Sequence, residues 1–96
     1  MLYKAFMKIE DNLYLSKLYD SYASLLPKVQ QEILADNLFS DLTGSEIAEN
    51  KGVSRQAVKD AIDKGKAKLL EYEEKLHFVE KLEALENEIE ILKRRR

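Results

Sequence analysis

The spacing of apolar residues predicts that the chain begins its folded part with two helices. From Asn12 onward, large apolar residues recur at steps of three and four, the pattern of a helix with one buried face. Proline lacks a backbone N–H and restricts the residue before it, so Pro27 ends this helix and suits the first turn of the next. The apolar positions of the first stripe are Leu15, Leu18, Tyr19, Tyr22, Leu25 and Leu26.

The second helix is predicted from about Lys28 to Phe39, followed by a loop over residues 40–44. Residues 1–11 show no clean period, and we expect a flexible N-terminus there. The tyrosines of the first helix lie at helical spacing, which favours core packing over a platform for stacking bases. The residues expected to be buried in the second helix are Val29, Ile33, Leu34 and Leu38.

Two helix-start signals follow in quick succession. Thr43 with Glu46 three residues later forms a capping box, and this helix can last only to Lys51. Gly52 supplies the left-handed backbone that closes a helix, and Ser54 is a preferred N-cap for the next one. Two helices separated by a short turn that contains glycine are typical of a helix-turn-helix, here over residues 45–68.

The apolar residues of this motif have the spacing that a helix-turn-helix needs. Ala48 is small where the two helices cross, and four larger residues would fix the crossing angle. The alternative is a helical hairpin buried in an ordinary bundle, which would not require polar SerArgGln directly after the turn. The four larger residues are Ile47, Val53, Val58 and Ile62.

The start of the second motif helix carries the candidate nucleic-acid contacts. Arginine can pair bidentately with guanine and glutamine with adenine, and the N-terminal residues of such a helix reach base edges. Asp60 and Asp63 lie near this face, where carboxylates repel phosphate. The lysines also fit a merely solvated face. We predict a reading edge of Ser54, Arg55, Gln56 and Lys59, with phosphate contacts from Lys51, Arg55, Lys59, Lys64 and Lys66.

The last third of the chain predicts a long C-terminal helix with an apolar seam. We expect the domain to span residues 12–75, with residues 76–96 as a dimerisation or packing arm and a bend near His77. Packed back on the N-terminal helices, the arm enlarges the core; between molecules, it makes a homodimer, which is the preferred interpretation. The seam residues are Leu76, Val79, Leu82, Leu85, Ile89 and Leu92.

Composition narrows the class of protein to an all-α binding protein. Ninety-six residues fit one domain, and only four positions are glycine or proline. Without cysteine and with one histidine, no metal site or other cofactor is expected. No stretch approaches the roughly 20 apolar residues of a membrane span, so we expect a cytoplasmic protein. Glu73 and Glu74 are interpreted as solvated surface and not as acid–base catalysts, and we predict no enzyme activity.

The distribution of charge matters more than the net charge of −2. Residues 45–68 hold six bases and four acids, whereas residues 69–90 hold eight Glu and two Lys. The acidic block would repel a nucleic-acid backbone and is expected to point away from it. The basic cluster at residues 93–96 suits a helix C-terminus as well as a phosphate contact.

Four segments together resemble the YlxM family of small bacterial helix-turn-helix proteins, over about residues 12–78. The middle third of this stretch alone is also similar to the promoter-binding C-terminal helix-turn-helix of bacterial sigma factors. Lys51 stands where the family pattern usually has an apolar residue, and Asp63 where it has a basic one. The four segments are LYDSYASLL at 18–26, SEIAE at 45–49, GVSRQAVKDAI at 52–62 and LEYEEKL at 70–76.

The resemblance implies an all-helical DNA-binding regulatory protein whose gene often lies beside those of the signal recognition particle, with a role in that pathway. Our preferred function is nucleic-acid binding, with DNA favoured over RNA. The first alternative is an accessory protein that binds the RNA or the protein subunit of the signal recognition particle. The second is a protein-interaction module whose active surface is the acidic helix. Steep weakening by salt would separate phosphate binding from apolar protein contacts.

Overall fold

The computed structural model describes residues 12–95, and these form five α-helices, a 3₁₀ helix and no strand. The predicted all-α helix-turn-helix bundle with a long C-terminal helix is confirmed. The flexible N-terminus predicted for residues 1–11, and Arg96 of the basic cluster, lie outside the described residues. The elements are α1 Asn12–Tyr22, the 3₁₀ helix Ala23–Leu25, α2 Lys28–Leu38, α3 Gly44–Lys51, α4 Arg55–Leu76 and α5 Phe78–Arg94.

Two apolar clusters hold these helices together, and α4 runs through both. Ile62 of α4 packs against each cluster, so the helix is fixed to α1 and α2 on one side and to α3 on the other. The larger cluster contains Leu15, Leu18, Tyr22, Leu26, Leu34, Leu69 and Val79. The smaller cluster, under the helix-turn-helix, contains Ile33, Ile47, Ala48 and Val58.

The first two helices differ in detail from the prediction. The regular part of α1 ends at Tyr22, and the chain tightens into the 3₁₀ helix before Leu26 becomes extended ahead of Pro27. Leu25 and Val29 are exposed, because they lie at this junction and belong to neither cluster. Helix α2 ends one residue early, at Leu38. The expectation that Leu25 and Val29 are buried was therefore wrong.

Close approach of α2 and α4 explains a glycine in the middle of a helix. A Cβ atom added at Gly65 would lie 3.0 Å from Cδ2 of Leu34 and 3.5 Å from Cγ of Gln30. Glycine costs about 1 kcal/mol relative to alanine in a helix interior. The cost is offset because the two helices pack with almost no room for a side chain between them.

A buried carboxylate joins the end of α4 to the start of α5. Glu73, 7% exposed, accepts hydrogen bonds from the Tyr22 hydroxyl at 2.6 Å and from the N–H groups of Val79 at 3.0 Å and Glu80 at 2.9 Å. The N–H of Phe78 donates to the Tyr22 hydroxyl oxygen at 3.2 Å. Three N–H groups that a helix start leaves without a helical partner are thus satisfied. The interpretation of Glu73 as solvated surface was wrong.

The predicted bend is a complete break between helices at His77. Its φ of 53° places it in the left-handed region, where it ends α4 and precedes α5. The first turn of α5 belongs to the main core, because Val79 is buried against the other members of that cluster. The division of the chain into a domain that ends at residue 75 and an arm that begins at residue 76 stays a prediction. The main core contains residues from both sides of this boundary, Leu69 and Val79 among them.

Candidate nucleic-acid interface

The start of α3 is held by the predicted capping box. The N–H of Glu46 donates to the hydroxyl oxygen of Thr43 at 3.2 Å, and the N–H of Thr43 donates to the carboxylate of Glu46 at 3.0 Å. The hydrogen bond from the backbone of Thr43 lowers the pKa of Glu46, because it favours the charged carboxylate. Both bonds fix where the first motif helix begins.

The turn has the backbone that the sequence predicts. Gly52 adopts a left-handed φ of 69°, and its N–H reaches the carbonyls of Ala48 and Glu49. The hydroxyl of Ser54 accepts from the N–H of Ala57 at 3.0 Å and caps α4. Val53 is exposed, in contrast to its predicted packing role, since the turn carries it beyond the smaller cluster.

The first two turns of α4 face the N-terminus of α3 across a shallow groove of about 390 Å³. Thr43 and Ser45 form one wall. The other wall carries three of the predicted reading residues and one acid. Sequence reasoning assigned Thr43 only a capping role and missed Ser45, although its place in the first turn of the preceding helix was a usable signal. The second wall consists of Arg55, Gln56, Lys59 and Asp63.

Two of the reading residues are bound to acids on their own helix. Nε2 of Gln56 donates to Asp60 at 2.9 Å, and Nζ of Lys59 pairs with Asp63 at 2.8 Å. The hydrogen bond to Asp63 raises the pKa of Lys59, which stays charged. Among residues 12–95, Arg55 has no salt-bridge partner, and its side chain is therefore the cation in the groove that is open to an incoming anion.

The remaining predicted phosphate contacts lie apart from this groove. Lys51 donates to Glu32 of α2 at 2.9 Å, a hydrogen bond that raises the pKa of Lys51 and lowers that of Glu32. This pair gives a polar partner to a lysine at a position where an apolar residue was expected. Lys64 lies about 140° around α4 from Lys59, given about 100° per residue.

Lys64 lines a second groove, of about 310 Å³, beside the junction of α1 and α2. Lys66 is partly buried and lies on the same side of α4 as Lys59, because seven residues, or about two turns, separate them. The structure thus brings together Arg55, Gln56 and Lys59, with Ser54 at the cap, and separates Lys51 and Lys64 from them.

The chemistry of the groove is that of hydrogen bonding and charge. Within residues 12–95, no group of three or more His, Cys, Asp or Glu side chains is placed to hold a metal ion. In the same part of the chain, no helix is long and apolar enough to cross a membrane. One wall of the groove offers the guanidinium of Arg55, the amide of Gln56 and the ammonium of Lys59, and the other offers the hydroxyls of Thr43 and Ser45. These groups suit a nucleic acid, which has charged phosphates and polar base edges.

Comparison with known proteins places the chain in a family. The family model "Putative helix-turn-helix protein, YlxM / p13 like" matches residues 9–96. UPF0122 protein FN1394 of Fusobacterium nucleatum is 40% identical over 87 residues, which cover 91% of this chain and 84% of that protein. UPF0122 protein MYPE4850 of Malacoplasma penetrans is 45% identical over 73 residues, 76% of this chain and 68% of the relative.

UPF0122 protein GK1195 of Geobacillus kaustophilus is 41% identical over 85 residues, 88% of this chain and 77% of that relative. No solved structure matches the chain. The family model covers the described helix-turn-helix in full, including the capping box, the glycine turn and the exposed start of α4. The resemblance found in the sequence is confirmed: the chain belongs to the UPF0122 family of YlxM/p13-like helix-turn-helix proteins.

Proposed function

We propose that this protein is a non-enzymatic DNA-binding regulator that lays the start of α4 in the major groove. The observation that carries the proposal is the exposed edge of Arg55, Gln56 and Lys59 at the Ser54-capped start of the second motif helix. Arginine and glutamine in this position match guanine and adenine edges. DNA is favoured over RNA because the deep, narrow major groove of an A-form helix does not admit a helix of this kind.

The acids on α4 set how this edge binds. Asp60 and Asp63 hold Gln56 and Lys59 in the free protein, and DNA must compete for both donors. Arg55 has no such competitor among the described residues. We therefore assign the largest single contribution to Arg55 and smaller ones to Gln56 and Lys59. Thr43 and Ser45, on the opposite wall, are placed for the phosphate strand beside the groove.

A randomised duplex pool selected by binding to the full chain tests the proposal. Arg55→Ala and Gln56→Ala are each expected to weaken binding to the selected sequence by about 1–3 kcal/mol. Arg94→Ala, at an exposed arginine near the end of α5, is the matched control and should bind as the unmodified chain does. Circular dichroism should show equal helicity in all three variants, because these side chains are exposed.

The salt dependence of binding separates the proposal from its alternatives. Affinity for the selected duplex should fall steeply with salt, with a smaller slope for Lys59→Ala. Full binding by Arg55→Ala would overturn the assigned surface. Preference for structured RNA over the duplex would favour the first alternative, an accessory protein that binds the RNA of the signal recognition particle. If no duplex sequence is selected and the chain instead binds another protein with an affinity that salt does not change, the alternative of a protein-interaction module is favoured.

A further inference from the structure

Helix α5 carries an apolar stripe that the described fold does not cover. Its residues are between 41% and 63% exposed and recur at steps of four, three, four and three. This is the a and d pattern of a coiled coil. The heptad starts at Phe78. Leu76 and Val79 of the predicted seam do not belong to it, because Leu76 is the last residue of α4 and the side chain of Val79 is buried in the core. The stripe consists of Phe78, Leu82, Leu85, Ile89 and Leu92.

The other helices contact α5 on a side that lies next to the stripe. Val79 enters the main core, and Glu83 pairs with Lys17 of α1 at 2.7 Å. Each follows a stripe residue by one position and is therefore about 100° around the helix from it. The domain is thus held to one side of α5 and leaves the stripe open along the whole helix.

The residues on either side of the stripe carry charges in a regular order. With Leu82 and Ile89 at a, Lys81 and Glu88 occupy g positions, and Glu86 and Lys93 occupy e positions. None of these four charged groups forms a salt bridge within residues 12–95, although other charges on α5 do. A line of exposed apolar residues between unpaired charges is the surface of a helix that lacks its partner.

We propose that the partner is a second copy of α5, packed parallel and in register. In a parallel pair, each g residue faces the e residue five positions later on the other helix. Lys81 then faces Glu86 of the second copy, and Glu88 faces Lys93 of the second copy. Both contacts join opposite charges, and each occurs twice in the symmetric dimer.

The antiparallel pair that packs Leu82 against Leu92 and Leu85 against Ile89 is disfavoured by the same charges. In that arrangement, g residues face g residues and e residues face e residues. Glu88 would face Glu88 of the second copy, Glu86 would face Glu86, and Lys81 would face Arg95. Every charged contact would be repulsive in this register. In the antiparallel register that packs Leu82 against Leu85, only Lys81 and Glu88 would meet as opposite charges, so the parallel pair joins twice as many opposite charges and is favoured.

The parallel dimer places both helix-turn-helix units at the same end of the coiled coil, one on each outer flank. Only this consequence rests on the proposed DNA-binding function: two reading edges at one end suit a two-fold symmetric site. The dimer itself is tested without nucleic acid, so its failure and the failure of DNA binding are distinct results.

Charge reversal in the full chain, followed by sedimentation equilibrium, tests the pairing. Lys81→Glu and Glu86→Lys should each weaken the dimer about tenfold, since two attractive contacts become repulsive in each case. The double variant Lys81→Glu/Glu86→Lys should recover the original dissociation constant. Arg94→Glu, on the outer face of α5, is the control of equal charge change and should leave the dimer intact.

Single cysteines report the orientation, because the chain has none of its own. Ile89→Cys should form a covalent dimer under mild oxidation, since a residues face their counterparts in a parallel register. Asn87→Cys, on the outer face, should not. A chain that stays monomeric at all concentrations would overturn the proposal. So would a preference of Leu85→Cys for cross-linking to Ile89→Cys over the cross-linking of Ile89→Cys to itself. A double charge variant whose dimer remains weaker than that of the unmodified chain would overturn it as well.

Discussion

The substitution Glu73→Gln tests the buried junction that attaches α5 to the domain. The two carboxylate oxygens of Glu73 accept three hydrogen bonds, and both lie at the positive N-terminal end of α5. Glutamine has the same size but replaces one oxygen with an NH₂ group that cannot accept. At least one donor, the N–H of Val79 or of Glu80, would then lose its acceptor.

The expected loss of unfolding free energy is about 1–4 kcal/mol. It combines about 1–3 kcal/mol for a buried donor left without an acceptor with up to about 1 kcal/mol for the lost charge at the helix start. Urea unfolding followed by circular dichroism measures it. Glu74→Gln is the matched control, because this neighbour is exposed and makes no described hydrogen bond; it should change stability by less than about 0.5 kcal/mol.

A double-mutant cycle with Tyr22→Phe extends the test. The hydroxyl of Tyr22 bonds to Glu73 and to the N–H of Phe78, so the losses from the two variants should overlap and the double variant should lose less than their sum. Equal unfolding curves for Glu73→Gln and Glu74→Gln would refute the reasoning, because they would mean that the buried carboxylate does not hold α5 in place.

Three further outcomes follow from the geometry. Gly52→Val should cost more than 1 kcal/mol in urea unfolding, although the space around Gly52 is open, because its φ of 69° disfavours a β-branched residue. Burial and the hydrogen bond to Glu73 raise the pKa of Tyr22 to about 12. Since the unfolded chain loses this proton near pH 10, stability should fall between about pH 10 and 12, and less steeply in Tyr22→Phe. Asp63→Asn frees Lys59 and should tighten DNA binding in fluorescence anisotropy, whereas Glu49→Gln, on α3, should not.

The elements of the fold could be predicted from local signals. Capping by Thr43, the left-handed Gly52 and the cap at Ser54 each depend on residues within a few positions of one another. Apolar spacing also predicted the buried face of α1 at Leu15, Leu18 and Tyr22. Such signals are contained in a short window of sequence, and the physics that they report is local.

The features that sequence reasoning missed join residues far apart in the chain. The hydrogen bond between Tyr22 and Glu73 spans 51 positions, and the pair of Lys17 with Glu83 spans 66. Helical spacing puts Glu73 four residues after Leu69, on the buried face of α4, but the local pattern does not show the partners that α1 and α5 bring to its carboxylate. The start of the apolar seam depends on the same long-range contacts: Val79 packs into the main core, whereas Phe78, which the sequence analysis did not assign to the seam, lies exposed beside Leu82.

The acidic C-terminal segment poses the main electrostatic problem for a DNA-binding protein. Most of its glutamates make separate contacts within the fold, so they do not form one continuous repulsive surface. Glu73 is buried as a cap, Glu83 is paired with Lys17, and Glu71 lies 3.5 Å from Lys68.

The carboxylate of Glu80 lies 3.0 Å from Nδ1 of His77, which makes an ion pair only when the imidazole is protonated, and Glu90 lies 4.0 Å from Arg94. Glu86 and Glu88 then carry unpaired charge beside the apolar stripe, where the proposed second copy supplies a lysine to each. Glu74 is exposed and has no salt bridge among the described residues, so the segment keeps part of its negative charge; the rest is spread over contacts that build the fold and the proposed dimer, away from the start of α4.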